Sequence, residues 1–232
     1  MVRFPNPGKF SRYNRQSKGL FDLLKFLLVA ITLIAAAIGT GLLPVHFFDR
    51  AGPPVSPVAV HGPANPIVSA ARSQVGKTLR YDPAYRQLSY PGGDIPLEVG
   101  VCTDVVIRAL RQSHQLDLQK LVHEDMKKNF ISYPKKWGLT RPDKNIDHRR
   151  VPNLQTFFQR RGWQIRLGEK PEDFKPGDLV TCIVPPSLPH IMVVSDRLSP
   201  DGRPLIIHNI GAGAQEEDLL FEFKLTGHYR IK

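Results

Sequence analysis

Three side chains in this sequence have the types that nucleophilic catalysis needs: one cysteine and two histidines far downstream of it. Cys102 stands at the start of an apolar run, and His190 and His208 each stand in a short run of β-branched residues. A cysteine nucleophile needs a base within hydrogen-bond reach, and the base needs a third polar group that fixes its tautomer. The pattern predicts Cys102 as the nucleophile and His190 as the base, with His208 or Asn209 as the third group.

The nucleophile is predicted to lie in the first turn of a helix. Over residues 101–112, apolar side chains recur at positions 101, 105, 106, 109 and 110, which is the period of an amphipathic helix. Unpaired backbone amides and the positive end of the helix dipole stabilise a thiolate at such a place. The other cysteine, Cys182, stands inside an apolar run and is interpreted as a small buried side chain. A disulfide between the two cysteines is the less favoured alternative.

Further residues are candidates for binding substrate or supporting the site. Tyr81 belongs to a turn-rich segment that leads to the cysteine and could form one wall of a cleft. Asp104 is a carboxylate of the first helical turn, where it favours the helix dipole. Asp147 and His148 could bind substrate, or form a structural network with the two arginines that follow them. Asn209 is the remaining supporting candidate.

We predict no metal and no cofactor. His190 and His208 could contribute to a zinc site, but the sequence has no His-Glu-x-x-His and no Cys-x-x-Cys motif. The formal net charge of +11 suits an anionic surface such as a cell envelope. Nucleic acid is not expected as a partner, because no module combines aromatic and basic residues in the required pattern. The oligomeric state stays open.

The 232 residues are predicted to divide into four parts. Residues 1–25 form a basic cytoplasmic tail. Residues 26–48 carry no fixed charge and are long enough to span a hydrocarbon core of about 30 Å. The basic residues precede this segment, so the remainder should lie in the periplasm or another extracytoplasmic space. We predict a single-pass signal-anchor in the inner (cytoplasmic) membrane; the alternative is secretion after signal cleavage. Residues 49–65 form a proline-rich linker, and residues 66–232 form the domain that carries the chemistry.

Within this domain the patterns predict helices first and strands afterwards. Asn65 and Pro66 begin the first predicted helix, and further helices cover residues 101–112, 117–126 and 153–161. Strands are predicted over residues 163–167, 179–184, 190–195, 205–209, 221–225 and 228–231. This order is typical of an α+β fold in which helices pack on an antiparallel sheet.

Several motifs resemble the bacterial domain-of-unknown-function-1287 family, over about residue 70 to the C-terminus. They are Gly100-Val101-Cys102-Thr103-Asp104-Val105-Val106, His123-Glu124-Asp125-Met126, Asp147-His148-Arg149-Arg150-Val151-Pro152-Asn153-Leu154, Pro176-Gly177-Asp178, Leu188-Pro189-His190-Ile191 and His208-Asn209-Ile210-Gly211. That family itself resembles a distant branch of the NlpC-type papain-like cell-wall peptidases. The resemblance implies a papain-like fold with Cys102 as nucleophile, His190 as base and His208 as the third member.

The resemblance also implies a function. We expect a membrane-anchored cysteine peptidase or amidase that cleaves amide bonds, with peptidoglycan stem peptides as the substrate. Two alternatives remain: an acyltransferase with the same triad, and a non-catalytic envelope-binding module on the same scaffold. The chain departs from the superfamily beside the nucleophile, where an aspartate and a serine-glycine pair are usual; here these positions hold Val101 and Thr103-Asp104.

Overall fold

Helices and an antiparallel sheet make up the part of the chain that the computed structural model describes, residues 65–232. Four α-helices, α1 to α4, span Pro66–Arg72, Cys102–His114, Leu118–Asn129 and Val151–Arg160. Eight strands, β1 to β8, span Arg80–Tyr81, Val99–Gly100, Gln164–Ile165, Leu179–Val184, Leu188–Leu198, Pro204–Asn209, Ala214–Glu217 and Lys224–Tyr229. The predicted α+β class is confirmed.

The predicted tail, signal-anchor and linker lie outside the described residues. Within residues 65–232, no helix combines the length and the hydropathy that a membrane crossing requires.

The main sheet has six strands in the order β3-β8-β4-β5-β6-β7, and all neighbours are antiparallel. A separate parallel pair, β1 and β2, brings Tyr81 beside Gly100 just before α2 begins. The long hairpin of β5 and β6 carries both histidines of interest. The fold thus brings the end of this hairpin to the start of α2.

Each face of the sheet has its own apolar cluster. Ile191 and Val193 of β5 pack with the helices, in a cluster that includes Cys102. Met192 and Val194, which alternate with them, pack in a second cluster on the other face. Two layers on either side of one sheet therefore account for the α+β architecture.

The helices begin close to where the sequence places them, and the polar caps explain why. The Asn65 side chain accepts the backbone N–H groups of Ile67 and Val68, and Asp117 accepts that of Gln119 at the start of α3. The helix predicted from residue 153 begins instead at Val151. Its first turn tolerates Pro152, since a proline there removes no hydrogen bond that the helix would make.

Some strands differ from the prediction. The two strands predicted over residues 221–225 and 228–231 form the single strand β8, and Phe221 before it is exposed. Strands β1, β2 and β7 were not predicted. The first two have two residues each, too short for any period, and Ala214–Glu217 lacks apolar alternation.

Candidate active site

Cys102 is the first residue of α2 and is buried at the floor of a cleft. The cleft has a volume of about 330 Å³, and Tyr81 and Pro189 lie on its walls. The Asn209 side chain donates a hydrogen bond of 3.0 Å to the carbonyl oxygen of Gly100, which holds the end of β6 against the residues that lead into α2. The cysteine therefore has the helix N-terminus that the sequence predicts and a path to solvent.

A chain of hydrogen bonds runs through the histidines. His190 Nε2 and His208 Nδ1 are 2.8 Å apart, with the rings edge to face. His208 Nε2 lies 2.8 Å from Glu217 Oε2. Both histidines are buried, whereas the Glu217 side chain is 34% exposed. The structure thus brings His190 and His208 together, and extends the pair to a carboxylate.

The carboxylate decides which nitrogen carries each proton. An ionised carboxylate only accepts hydrogen bonds, so His208 Nε2 must donate to Glu217. In neutral His208, Nδ1 is then an acceptor, and it receives the proton of His190 Nε2. His190 Nδ1 is left with a free lone pair, which is the form that a general base requires.

Cys102 and His190 are close in the fold but make no hydrogen bond to each other within residues 65–232. The Cys102 sulfur lies near the backbone N–H of Ile191, the residue after the histidine. Ile191 faces the helices with Cys102, and the alternation along β5 turns the His190 side chain toward the other face. Contact between the sulfur and His190 Nδ1 therefore requires a backbone rearrangement at the start of β5, because rotation of the side chain alone leaves His190 on the other face of the sheet.

Burial keeps both groups neutral in this arrangement. Burial raises the pKa of the Cys102 thiol to about 12, although the backbone N–H of Ile191 acts in the opposite direction. Burial, followed by the neighbouring His208, lowers the pKa of His190 to about 3. At neutral pH the pair is a thiol and a neutral imidazole. An ion pair would form only when the proton passes from one to the other.

Asp104 supports the start of α2. Its carboxylate accepts the backbone N–H of Val101 at 2.7 Å and forms a buried ion pair of 2.9 Å with Arg149. Arg149 also donates to the carbonyl oxygens of Asp82 and Ala84. All three guanidinium nitrogens are thereby used. The pair ties the cysteine turn to two segments distant in sequence.

Asp147 and His148 lie behind the cleft wall. Both are buried in a short 3-10 helix, Asp147–Arg149, and neither lines the cleft. Asp147 accepts the backbone N–H of Asp143 and pairs with Arg150 at 3.1 Å. Burial lowers the pKa of His148 to about 3, and its Nδ1 atom has no partner within the described residues. Their place favours the structural interpretation over direct substrate binding.

Some residues of the site were not identified from the sequence. Glu217 was missed because β7 was not predicted, although a glutamate pair after a histidine strand is a usable signal. The cleft is lined by Lys136, Trp137 and Arg150 as well as Arg149. The sequence singled out Asp147 and His148 as candidates, but the two residues that follow them, Arg149 and Arg150, line the cleft.

The described residues contain no group of three histidine, cysteine, aspartate or glutamate side chains arranged to hold a metal ion. Cys102 and Cys182 are both buried and free. Cys182 lies opposite His190 on β4 and packs in the second apolar cluster, as expected for a small buried side chain.

Comparison with known proteins gives the same family as the motifs. Residues 68–231 match the family described as "Domain of unknown function (DUF1287)". The chain is also 59% identical over 181 residues to the Escherichia coli (strain K12) protein named "Uncharacterized protein YijF", an alignment that covers 77% of this chain and 88% of the relative. Because the family match spans nearly all of the described residues, the chain belongs to the DUF1287 family.

Proposed function

We propose that the chain is a papain-like cysteine hydrolase of the NlpC type, which cleaves amide bonds in peptidoglycan stem peptides. The observation that carries the proposal is the placement of Cys102 at a helix N-terminus in a cleft, against the strand β5 that begins the hydrogen-bonded chain of His190, His208 and Glu217. Cysteine, base and orienting group are the parts that acyl transfer through a thiol requires. The proposal includes anchoring through residues 26–48, with the domain outside the cytoplasmic membrane.

In the proposed reaction the Cys102 sulfur attacks the scissile carbonyl carbon while His190 Nδ1 takes the thiol proton. The carbonyl oxygen of the substrate becomes negative in this step. It would accept hydrogen bonds from backbone N–H groups at the start of α2, including that of Cys102. His190 then gives its proton to the leaving amine as the C–N bond breaks, which leaves a thioester. Water attacks the thioester with His190 as base, and the thiol is regenerated.

The neutral state of the resting pair sets one condition on this mechanism. Cys102 and His190 must come within hydrogen-bond distance when substrate occupies the cleft. The two side chains face opposite sides of β5 in this structure, so the approach needs a backbone rearrangement at the start of that strand. Pro189, directly before the histidine, lines the cleft, so a bound substrate can press on this end of β5.

Digestion of purified sacculi tests the proposal. Wild-type protein should release stem-peptide fragments detected by mass spectrometry, and Cys102→Ala should release none while unfolding at the same temperature. Cys182→Ala is the matched control, since it removes the other buried cysteine, and it should retain the activity. Equal release by wild type and Cys102→Ala would refute a thiol mechanism.

A second candidate is a non-catalytic envelope-binding module on the same scaffold. The observation in its favour is the buried Cys102 thiol, whose pKa is raised to about 12 and which lacks a hydrogen bond to His190. It predicts that Cys102 reacts with iodoacetamide at neutral pH no faster than Cys182, whose pKa burial also raises to about 12. The hydrolase differs in forming a thioester on Cys102 during turnover, which mass spectrometry of acid-quenched protein should detect in wild type and not in His190→Gln.

A further inference from the structure

We propose that the cleft above Cys102 selects a substrate segment with a free carboxylate, bound by Lys136 and Arg150. The inference rests on the proposed function, because it concerns the substrate of the same site. It gives the cleft a binding role that is separate from the chemistry of the cysteine, and it can be measured without turnover.

All charged side chains that line the cleft are cationic. Lys136, Arg149 and Arg150 line the cleft, and no aspartate or glutamate does so. Arg149 is committed to Asp104 and to two backbone carbonyl oxygens, so its charge is compensated. The donors that remain for a ligand belong to Lys136 and Arg150.

Arg150 is held in position with donors to spare. Its Nη1 atom donates to Asp147 at 3.1 Å, and its guanidinium carbon lies 4.1 Å from the centre of the Trp137 ring. These contacts fix the plane of the guanidinium group. Its Nε and Nη2 atoms make no hydrogen bond within the described residues. A planar, oriented pair of N–H donors matches the two oxygens of a carboxylate.

Lys136 supplies a second charge at the rim. It is exposed and forms no ion pair within residues 65–232. Trp137, which is 37% exposed, joins the two cationic residues and offers an apolar surface. Pro83, Val151 and Pro152 continue that surface inside the cleft. An anionic group on an otherwise uncharged peptide segment fits this combination.

Binding to the inactive Cys102→Ala protein tests the inference. The probes are two synthetic stem peptides that differ in one group, a free carboxylate in one and a carboxamide in the other. Calorimetry should give about tenfold tighter binding of the carboxylate peptide, in line with the strength of charge-assisted hydrogen bonds. Equal binding of both peptides, or binding of neither, overturns the inference.

Variants in the Cys102→Ala background assign the residues. Arg150→Gln should remove the preference for the carboxylate peptide. Lys136→Gln should weaken binding of the carboxylate peptide roughly three- to tenfold and leave the affinity for the carboxamide peptide unchanged. Lys135→Gln, which changes an exposed lysine outside the cleft lining, should behave as the parent. Arg150 also pairs with Asp147, so Arg150→Gln can destabilise the fold. Lys136 is exposed and forms no ion pair within residues 65–232, so Lys136→Gln tests the site without that effect. Equal weakening of both peptides by Lys136→Gln contradicts the assignment.

Failure of the two proposals can be told apart. If wild-type protein hydrolyses the carboxylate and carboxamide peptides equally well, the hydrolase stands and the carboxylate site is wrong. If Cys102→Ala binds the carboxylate peptide selectively but wild-type protein hydrolyses neither peptide, the carboxylate site stands and the hydrolase is wrong.

Discussion

At the level of single residues, the protonation of His190 depends on a side chain two hydrogen bonds away. With both histidines neutral, His208 Nε2 donates its proton to Glu217, and His208 Nδ1 accepts the Nε2 proton of His190. Glu217 is thus a positioning residue that acts through His208. Its carboxylate would also stabilise the positive charge that arrives at the histidine pair during the proposed reaction.

Replacing Glu217 should therefore change the pH dependence of the reaction. We expect Glu217→Ala to lower kcat/KM by roughly tenfold or more, within the usual range for perturbed acid–base catalysis. The acidic limb of the pH profile should move to lower pH, because an imidazolium that has lost a nearby carboxylate releases its proton more readily. Glu222→Gln, a change at an exposed glutamate, is the control. A fall in stability with an unmoved acidic limb would reduce Glu217 to a structural role.

Variants of the neighbouring residues His208 and Asn209 should affect different properties, activity in the first case and stability in the second. His208→Gln is expected to abolish hydrolysis, because His190 loses its orienting partner. Asn209→Ala removes the hydrogen bond to the Gly100 carbonyl oxygen and should cost roughly 1–3 kcal/mol of unfolding free energy, the range for a buried polar group left unpaired. Urea unfolding and peptide assays on both variants measure the two effects. An active His208→Gln would make Asn209 the better third member.

At the level of elements, the start of α2 is held by the buried pair of Asp104 and Arg149. Thr103 adds a hydrogen bond from its hydroxyl to the Arg149 carbonyl oxygen, so the turn that carries Cys102 is tied to the segment before α4. Thr103 and Asp104, the two residues that follow Cys102, thus have a structural use in this chain.

Breaking this pair should be costly. We expect Asp104→Ala to lower the free energy of unfolding by roughly 3–5 kcal/mol, because Arg149 would stay buried without its counter-charge. Urea unfolding followed by circular dichroism measures the change. Glu169→Ala breaks a highly exposed ion pair with Arg166 and should leave stability unchanged. An equally small effect of Asp104→Ala would show that solvent reaches Arg149.

At the level of the whole molecule, buried neutral histidines make stability depend on pH. Burial lowers the pKa of both His148 and His190 to about 3, from an ordinary value near 6.5. The unfolded chain binds protons at these sites below about pH 6.5, while the folded protein does not. Their contribution to stability is therefore present above that pH and is lost as pH falls toward 3.

His148→Gln isolates this effect outside the cleft. Well below pH 6.5, each such histidine adds about 1.4 kcal/mol per pH unit to the slope of unfolding free energy against pH. The slope for His148→Gln, from urea unfolding between about pH 5.5 and 4.5, should be smaller than that of wild type by about this amount. Parallel slopes would mean that His148 is protonated in the folded protein.

Local patterns were enough for the elements with strong periods. The apolar period placed Cys102 in the first turn of α2, and the apolar run of β4 was predicted with the bounds that the structure has, Leu179–Val184. Asn65 marked a helix start because a cap acts on the adjacent turn. The two-residue strands β1 and β2 carry no such signal, and β7 has too few apolar side chains.

The residues of the site that were missed come together through contacts distant in sequence. Glu217 meets His208 through the register of β6 and β7, which pairs Ile206 with Glu217. Arg150 and Trp137 reach the cleft because the segment before α4 folds over the start of α2. No local period reports such contacts.

The sequence by itself determined the α+β class, the family and the helix N-terminus that carries Cys102, since these follow from side-chain periods, caps and motifs. Only the tertiary structure decided that His208, and not Asn209, contacts His190, and that Cys102 rests against Ile191 instead. Strand register and the packing of α2 on the sheet choose between adjacent residues that point to opposite faces. A one-residue difference in register would reverse that choice.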